Sequence, residues 1–193
     1  MSAHMSNGDT LENHFLVAMP QLAGSYFGSS VTYLWKHDDT GAIGLVVNKP
    51  LQASIADIFE ELEIESAAGE SYFRERHVLA GGPVERDKGF ILHDAGEKWE
   101  SSIKITRGIT ITTSKAILQA IASGEGPSNY LIALGCAGWA PGQLEQELCD
   151  NVWLTTPASS DLIFSLDFAG KPSAAAAQLG ISLEKLAPEA GHS

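Results

Sequence analysis

Long apolar runs, sulfur and positive charge are all scarce in this 193-residue sequence, and each shortage removes a class of function. The longest uninterrupted apolar stretches are a handful of residues, against the roughly 18–20 needed to cross hydrocarbon, so no spanning helix and no membrane partner is expected. Phe15 to Met19 is closed by Pro20 and preceded by Asp9 and Glu12, where a secretory signal would carry positive charge and a longer apolar region. Two cysteines, Cys136 and Cys149, form no C-x-x-C and have no histidine at metal spacing, so they read as reduced thiols of a cytoplasmic protein. Twelve Lys and Arg stand against 24 Asp and Glu, a net charge of −12. The densest basic clusters, Arg74/Arg76 and Arg86/Lys88, are interrupted by Glu75 and Asp87. Because affinity for nucleic acid is mostly phosphate neutralisation by clustered cations, this distribution argues against direct binding of DNA or RNA.

Catalytic signatures are missing as well. The sharp nucleophile turn G-x-S-x-G occurs nowhere. None of the six histidines forms H-x-H, H-E-x-x-H or another zinc spacing, so neither a metal nor a cofactor is expected. A Ser-His-Asp set assembled from separate strands stays open, because such triads are defined by geometry rather than chain order.

What the chain does have is 44% hydrophobic residues, enough to offset the conformational entropy of folding without staples. Met1 to His4, before a second methionine at Met5, has the look of a vector remnant. Residues 5–193 are then expected to form a single domain. Phe15–Met19 and Val31–Trp35 read as strands, and the nearly continuous apolar run Ile43–Val47 as a strand covered on both faces. Ser54 opens the clearest helix, with a Ser-x-x-Asp capping box to Asp57 and apolar Ile55, Ile58, Phe59 and Leu62 along one face. The acidic side of that helix, Glu60, Glu61, Glu63 and Glu65, reads as solvated.

A polar linker is expected from Ser66 to Glu75, then strands at His77–Ala80 and Gly89–His93 around a turn-rich stretch from Gly81 to Lys88. The alternating pairs Ile103/Ile105 and Ile109/Ile111 look antiparallel. Ser114 can cap a helix carrying Ile117, Leu118 and Ile121, ended by Gly124. Tyr130–Leu134 reads as a strand entering a glycine-rich loop, Gly135, Gly138 and Gly142, before a helix with Leu144 and Leu148. Val152–Thr155 makes the last strand, and short helices are expected over Ser160–Leu166, Ser173–Leu179 and Leu183–Leu186.

The glycine loop lacks the lysine of a P-loop and the spacing of a dinucleotide fingerprint. Glu145 and Glu147 would meet the helix dipole favourably but repel a phosphate. Three readings stay open: tight strand-to-helix packing, a neutral ligand beside Trp139, and a nucleotide. Trp139 itself is either a core anchor or an exposed contact. His93, at the end of Phe90-Ile91-Leu92, reads as a histidine holding a backbone carbonyl rather than as a general base.

Several segments taken together resemble the YqgE/AlgH family of bacterial proteins. They are Phe15-Leu16-Val17-Ala18-Met19-Pro20, Gly41 to Pro50, Gly81-Gly82-Pro83-Val84 and Asp87 to His93. Gly135-Cys136-Ala137-Gly138-Trp139 through Glu145, Asn151-x-Trp153-Leu154 and the closing Ala190-Gly191-His192-Ser193 complete the set. Lys49 and Lys88 stand where the family often has arginine, and Cys136 where it has an aromatic; lysine forks a carboxylate or phosphate less well than arginine. The resemblance implies an α+β fold, a mixed, mostly antiparallel, barrel-like sheet flanked by helices, with no catalytic residues. Members are often labelled transcriptional regulators, which the charge balance turns into indirect regulation. The expectation is a cytoplasmic, non-catalytic binding or regulatory protein for a small molecule or protein partner. Its candidate surface is built from Asn48, Pro50, Gly81, Gly82, Pro83 and His93, with Gly138, Trp139, Gly142 and Gln143. The alternatives are a hydrolase for a small acidic substrate or peptide, with His93 as base and Cys136 or a serine as nucleophile, and a DNA-binding regulator.

Overall fold

The computed structural model describes residues 10–186; Met1–His4 and the closing Ala190-Gly191-His192-Ser193 segment lie outside the described residues. The fold is α+β, and its strand pairing is mostly antiparallel. The chain forms two compact units, one of residues 1–44 with 138–193 and one of residues 45–137. Among the described residues no helix is long and apolar enough to cross a membrane.

In the first unit β1 (His14–Ala18) lies between β10 (Trp153–Pro157) and β2 (Val31–Asp38), antiparallel to both, with Leu16 opposite Thr155 on one side and Thr32 on the other. β3 (Gly41–Val46) follows β2 across the turn at Asp38–Thr40. The helix α6 (Lys171–Ala177) packs on β1, β2 and β10 and buries Ala175 and Ala176. It lies next to α5 (Ser160–Phe164), whose start is capped by the Ser159 hydroxyl accepting from the Leu162 N–H. β1 is buried almost end to end, its backbone paired on both edges and α6 packed against it.

The second unit is built on β9 (Tyr130–Trp139), which pairs antiparallel with β6 (Val84–His93) and parallel with β5 (His77–Ala80). Beyond β6 come β8 (Ile109–Thr112) and β7 (Ser102–Thr106). β4 (Pro50–Ser54) pairs with β5. Ser54 then closes the capping box of α1 (Ile55–Glu61): its hydroxyl accepts from the Asp57 N–H at 3.2 Å, and the Asp57 carboxylate accepts from the Ser54 N–H at 2.7 Å. The amphipathic α3 (Lys115–Ser123) buries Ile117, Leu118, Ile121 and Ala122 and ends at Gly124 in the left-handed conformation. These faces meet Phe59, Phe73, Ile91 and Ile132 in one apolar cluster.

Three expectations are corrected. The segment after Ser66 holds a short helix, α2 (Glu70–Arg74), because Phe73 has a buried seat against Phe59, with ring centroids 4.9 Å apart; one buried ring orders an otherwise polar stretch. The turn-rich run from Gly81 is largely strand, since β6 starts at Val84 and a register shift between Val84 and Gly89 absorbs the extra residues. The glycine loop is largely strand too: β9 continues through Gly135 and Gly138 to Trp139. Its helix, α4 (Gln143–Cys149), starts only after Gly142.

Candidate functional site

Gly135 in β9 admits the chain's own backbone. Gly82, at φ +156°, lies so close to the main chain of Cys136 that a β-carbon would overlap it, and Gly135, at φ +79°, faces the Gly82 carbonyl in the same way. Around this contact main-chain groups pair with one another. The Gly81 N–H donates to the Leu134 carbonyl, the Val46 N–H to the Gly81 carbonyl and the Ala80 N–H to the Lys49 carbonyl, each at 2.8 Å. Gly81 and Gly82 are therefore buried, as is Asn48, while Pro50 and Pro83 are exposed. Cys136 is buried beneath the same corner, and burial raises its thiol pKa above the ordinary value. A thiol so placed is held away from the thiolate that nucleophilic chemistry needs.

His93 is fully buried, and both ring nitrogens are committed. Nδ1 accepts from the Ala95 N–H at 3.3 Å, so the ring proton sits on Nε2 and is donated to Thr112 Oγ1 at 2.7 Å. Ser102 Oγ lies 2.7 Å from Thr112 Oγ1 and donates to the Trp99 carbonyl at 2.7 Å, so the Thr112 hydroxyl donates to Ser102. The result is a one-way relay, His93 to Thr112 to Ser102 to a carbonyl. Histidine next to hydroxyl has the composition of a nucleophile–base pair but the opposite polarity: a base needs a free Nε2 lone pair with Nδ1–H held by an acceptor. Burial pushes the His93 pKa down to about 4, with Asp94 opposing, so the ring is neutral near pH 7. The histidine holds a hydroxyl and a main-chain N–H where a carbonyl was expected.

In the first unit Trp139 is a core anchor. It is buried, stacks on Phe27 with centroids 6.2 Å apart and meets Trp153 edge-on at 6.1 Å. Both indole N–H groups, of Trp139 and Trp153, donate to one oxygen of Glu147 at 2.8 Å. Gln143 extends the arrangement, accepting from the Ala140 N–H and donating to the other Glu147 oxygen at 3.1 Å. Gly142 starts α4 in the left-handed conformation and, like Gly138 and Gln143, is exposed. Nearby, His37 accepts the Leu11 N–H on Nδ1 at 2.9 Å and reaches Glu145 through Nε2 at 2.6 Å. The candidates of each unit thus form local frames. One ties Gly81 and Gly82 to β9, one ties Trp139 and Gln143 to Glu147, and His93 belongs to its own relay.

Sequence reasoning missed a cleft of about 460 Å³ in the second unit. Its floor is aliphatic: Ile58 and Leu62 from the end of α1, Ile91 from β6, Leu118 from α3, and Ile132 and Leu134 from β9. Its rim carries Glu61, Arg86, Asp87 and Lys115, and the buried Ser114 hydroxyl beside them has no hydrogen-bond partner among the described residues. Spacing could not announce it, because these residues come from four elements and each reads singly as core or solvated surface. A second missed residue is Lys171, 2% exposed, whose ammonium donates to the Ile163 carbonyl at 2.7 Å and whose pKa burial lowers to about 7. Among the described residues no group of three or more His, Cys, Asp and Glu comes together as a metal site would require.

The sequence profile of the AlgH-like family matches residues 15–184. A UPF0301 protein of Alcanivorax borkumensis is 49% identical over 183 residues, covering 94% of this chain and 96% of its own length. One from Yersinia pseudotuberculosis is 48% identical over 184 residues, covering 94% and 98%. The solution structure of the AlgH protein from Pseudomonas aeruginosa superposes with a TM-score of 0.78 at 41% identity, covering 99% of this chain and all of that one. A crystal structure of a Corynebacterium diphtheriae protein, 20% identical with a TM-score of 0.65 over 90% of this chain and 93% of that one, shares the fold.

Proposed function

This chain belongs to the AlgH-like family, and we propose that it is a cytoplasmic, non-catalytic protein that binds a small molecule in the cleft of its second unit and acts in regulation indirectly. The observation that carries this reading is the cleft: a recess of ligand size, with an aliphatic floor and a few charged groups at its rim. Two further features support it. The groups singled out for a hydrolase are committed to the fold, His93 as a donor in a buried relay and Cys136 as a buried thiol. The acidic excess keeps nucleic acid at a distance, so that regulation would pass through the bound molecule or a protein partner. Of the exposed candidates, Pro50 and Pro83 belong to the unit that holds the cleft and serve this reading as positions at which a partner senses the liganded state.

The test is a thermal-shift screen of the full chain over metabolites, repeated on Leu62→Trp, which fills the cleft from a half-buried position. A ligand at about 100 times its Kd stabilises by about 2.7 kcal/mol, enough to move the midpoint by several degrees. The wild-type shift should vanish in Leu62→Trp. A shift that survives the substitution unchanged puts the binding elsewhere and sinks the reading.

A further inference from the structure

The rim of the cleft carries two cations and two anions, and they do not neutralise one another. Glu61, Arg86 and Asp87 make no ion pair or side-chain hydrogen bond among the described residues. Lys115 spends one of its three N–H groups on the Leu62 carbonyl at 3.0 Å and keeps two. Opposite charges that share a recess without pairing leave both signs available to an occupant. A ligand with one charge would answer two of these groups and leave the other two facing its apolar part.

The floor narrows the choice further. All six apolar lining residues are branched aliphatics, and no aromatic ring lines the cleft, so a base or other flat ring finds no face to stack on. At about 460 Å³ the recess falls in the lower part of the range for small-molecule sites. It suits a compact aliphatic body better than an extended cofactor.

From these three properties, and resting on the reading of the cleft as a ligand site, we infer that the occupant is a small zwitterion of the aliphatic amino-acid class, a free amino acid or a dipeptide. Its side chain lies on Leu62, Leu118 and Leu134. Its carboxylate lies toward Arg86 and toward Lys115 at the start of α3, where the helix dipole adds to the attraction. Its ammonium lies toward Glu61 and Asp87.

The experiment is a methyl and amide NMR titration of the full chain with L-leucine and leucyl-leucine. Two single-charge analogues serve as controls: 4-methylpentanoate, with only the carboxylate, and 3-methylbutylamine, with only the ammonium. The zwitterions should perturb the methyls of Ile58, Leu62 and Leu118 and bind at least about tenfold more tightly than either control. In Arg86→Gln the preference over the amine, and in Asp87→Asn the preference over the acid, should shrink severalfold; both positions are exposed, and unchanged far-UV spectra would show that the fold is kept. Controls that bind as well as leucine, or zwitterions that stay silent while another metabolite moves the same methyls, overturn the inference and leave the cleft as a site. Silence of the cleft toward every compound overturns both.

Discussion

His93 shows how one proton decides what a residue can do. Its folded pKa of about 4 lies below the roughly 6.5 of an unfolded chain, so burial favours the neutral ring. Above pH 6.5 both states are neutral and the relay contributes fully. Between about 6.5 and 4 the unfolded chain takes the proton first, and stability falls by up to about 3 kcal/mol before levelling off. Urea denaturation from pH 8 to pH 4 should show this loss, and His93→Gln should remove most of that part of it. A pH dependence identical in the variant would assign the loss to other groups. Glu147 makes a second case, for one carboxylate receives two indoles and the Gln143 amide. Charge-assisted bonds of this kind contribute about 1.5–3 kcal/mol each, and their loss leaves buried indole N–H groups bare. Glu147→Ala is therefore expected to lower the unfolding free energy by about 2–4 kcal/mol; a loss under about 1 kcal/mol would mean that water replaces the carboxylate.

Where β9 meets Gly82, the requirement is for a missing side chain. Gly82→Ala should cost well over the ~1 kcal/mol that separates the two residues elsewhere, because the new carbon overlaps Cys136 main chain. Gly89→Ala on β6, where a β-carbon meets open space and φ is not positive, should stay within about 0.5 kcal/mol of wild type. Equal costs at the two positions would remove the close approach as the reason for Gly82. The same corner shows what could and could not be read from the chain. Elements with local signatures were legible: α1 through the Ser54–Asp57 box, α3 through its apolar period and Gly124, β1 and β5 through their apolar runs. Gly135 misled because glycine marks a turn and a close backbone approach with the same letter, and only the distant Gly81–Gly82 segment decides between them. β4 and α2 escaped because Leu79 and Phe59, their partners, lie far along the chain. Of the candidate site residues, burial reassigned Trp139 and His93 to the frame, and the cleft was invisible because aliphatic lining and aliphatic core have one composition.

The expectation of a single domain can be tested on the molecule as a whole. The first unit is made of two segments, 1–44 and 138–193, with the second, 45–137, inserted between them, and the crossings fall inside β3 and β9. Units joined through the middle of two strands should unfold together, so calorimetric and van't Hoff enthalpies should agree and circular dichroism and tryptophan fluorescence should report one midpoint. Two resolved midpoints would make the units separate domains. The two cysteines fall one in each unit, Cys149 exposed and Cys136 covered by the Gly82 corner. An alkylating pulse will therefore tag one sulfur at once, and the arrival of the second tag becomes a stopwatch for the opening of residues 45–137 in the otherwise unmodified chain.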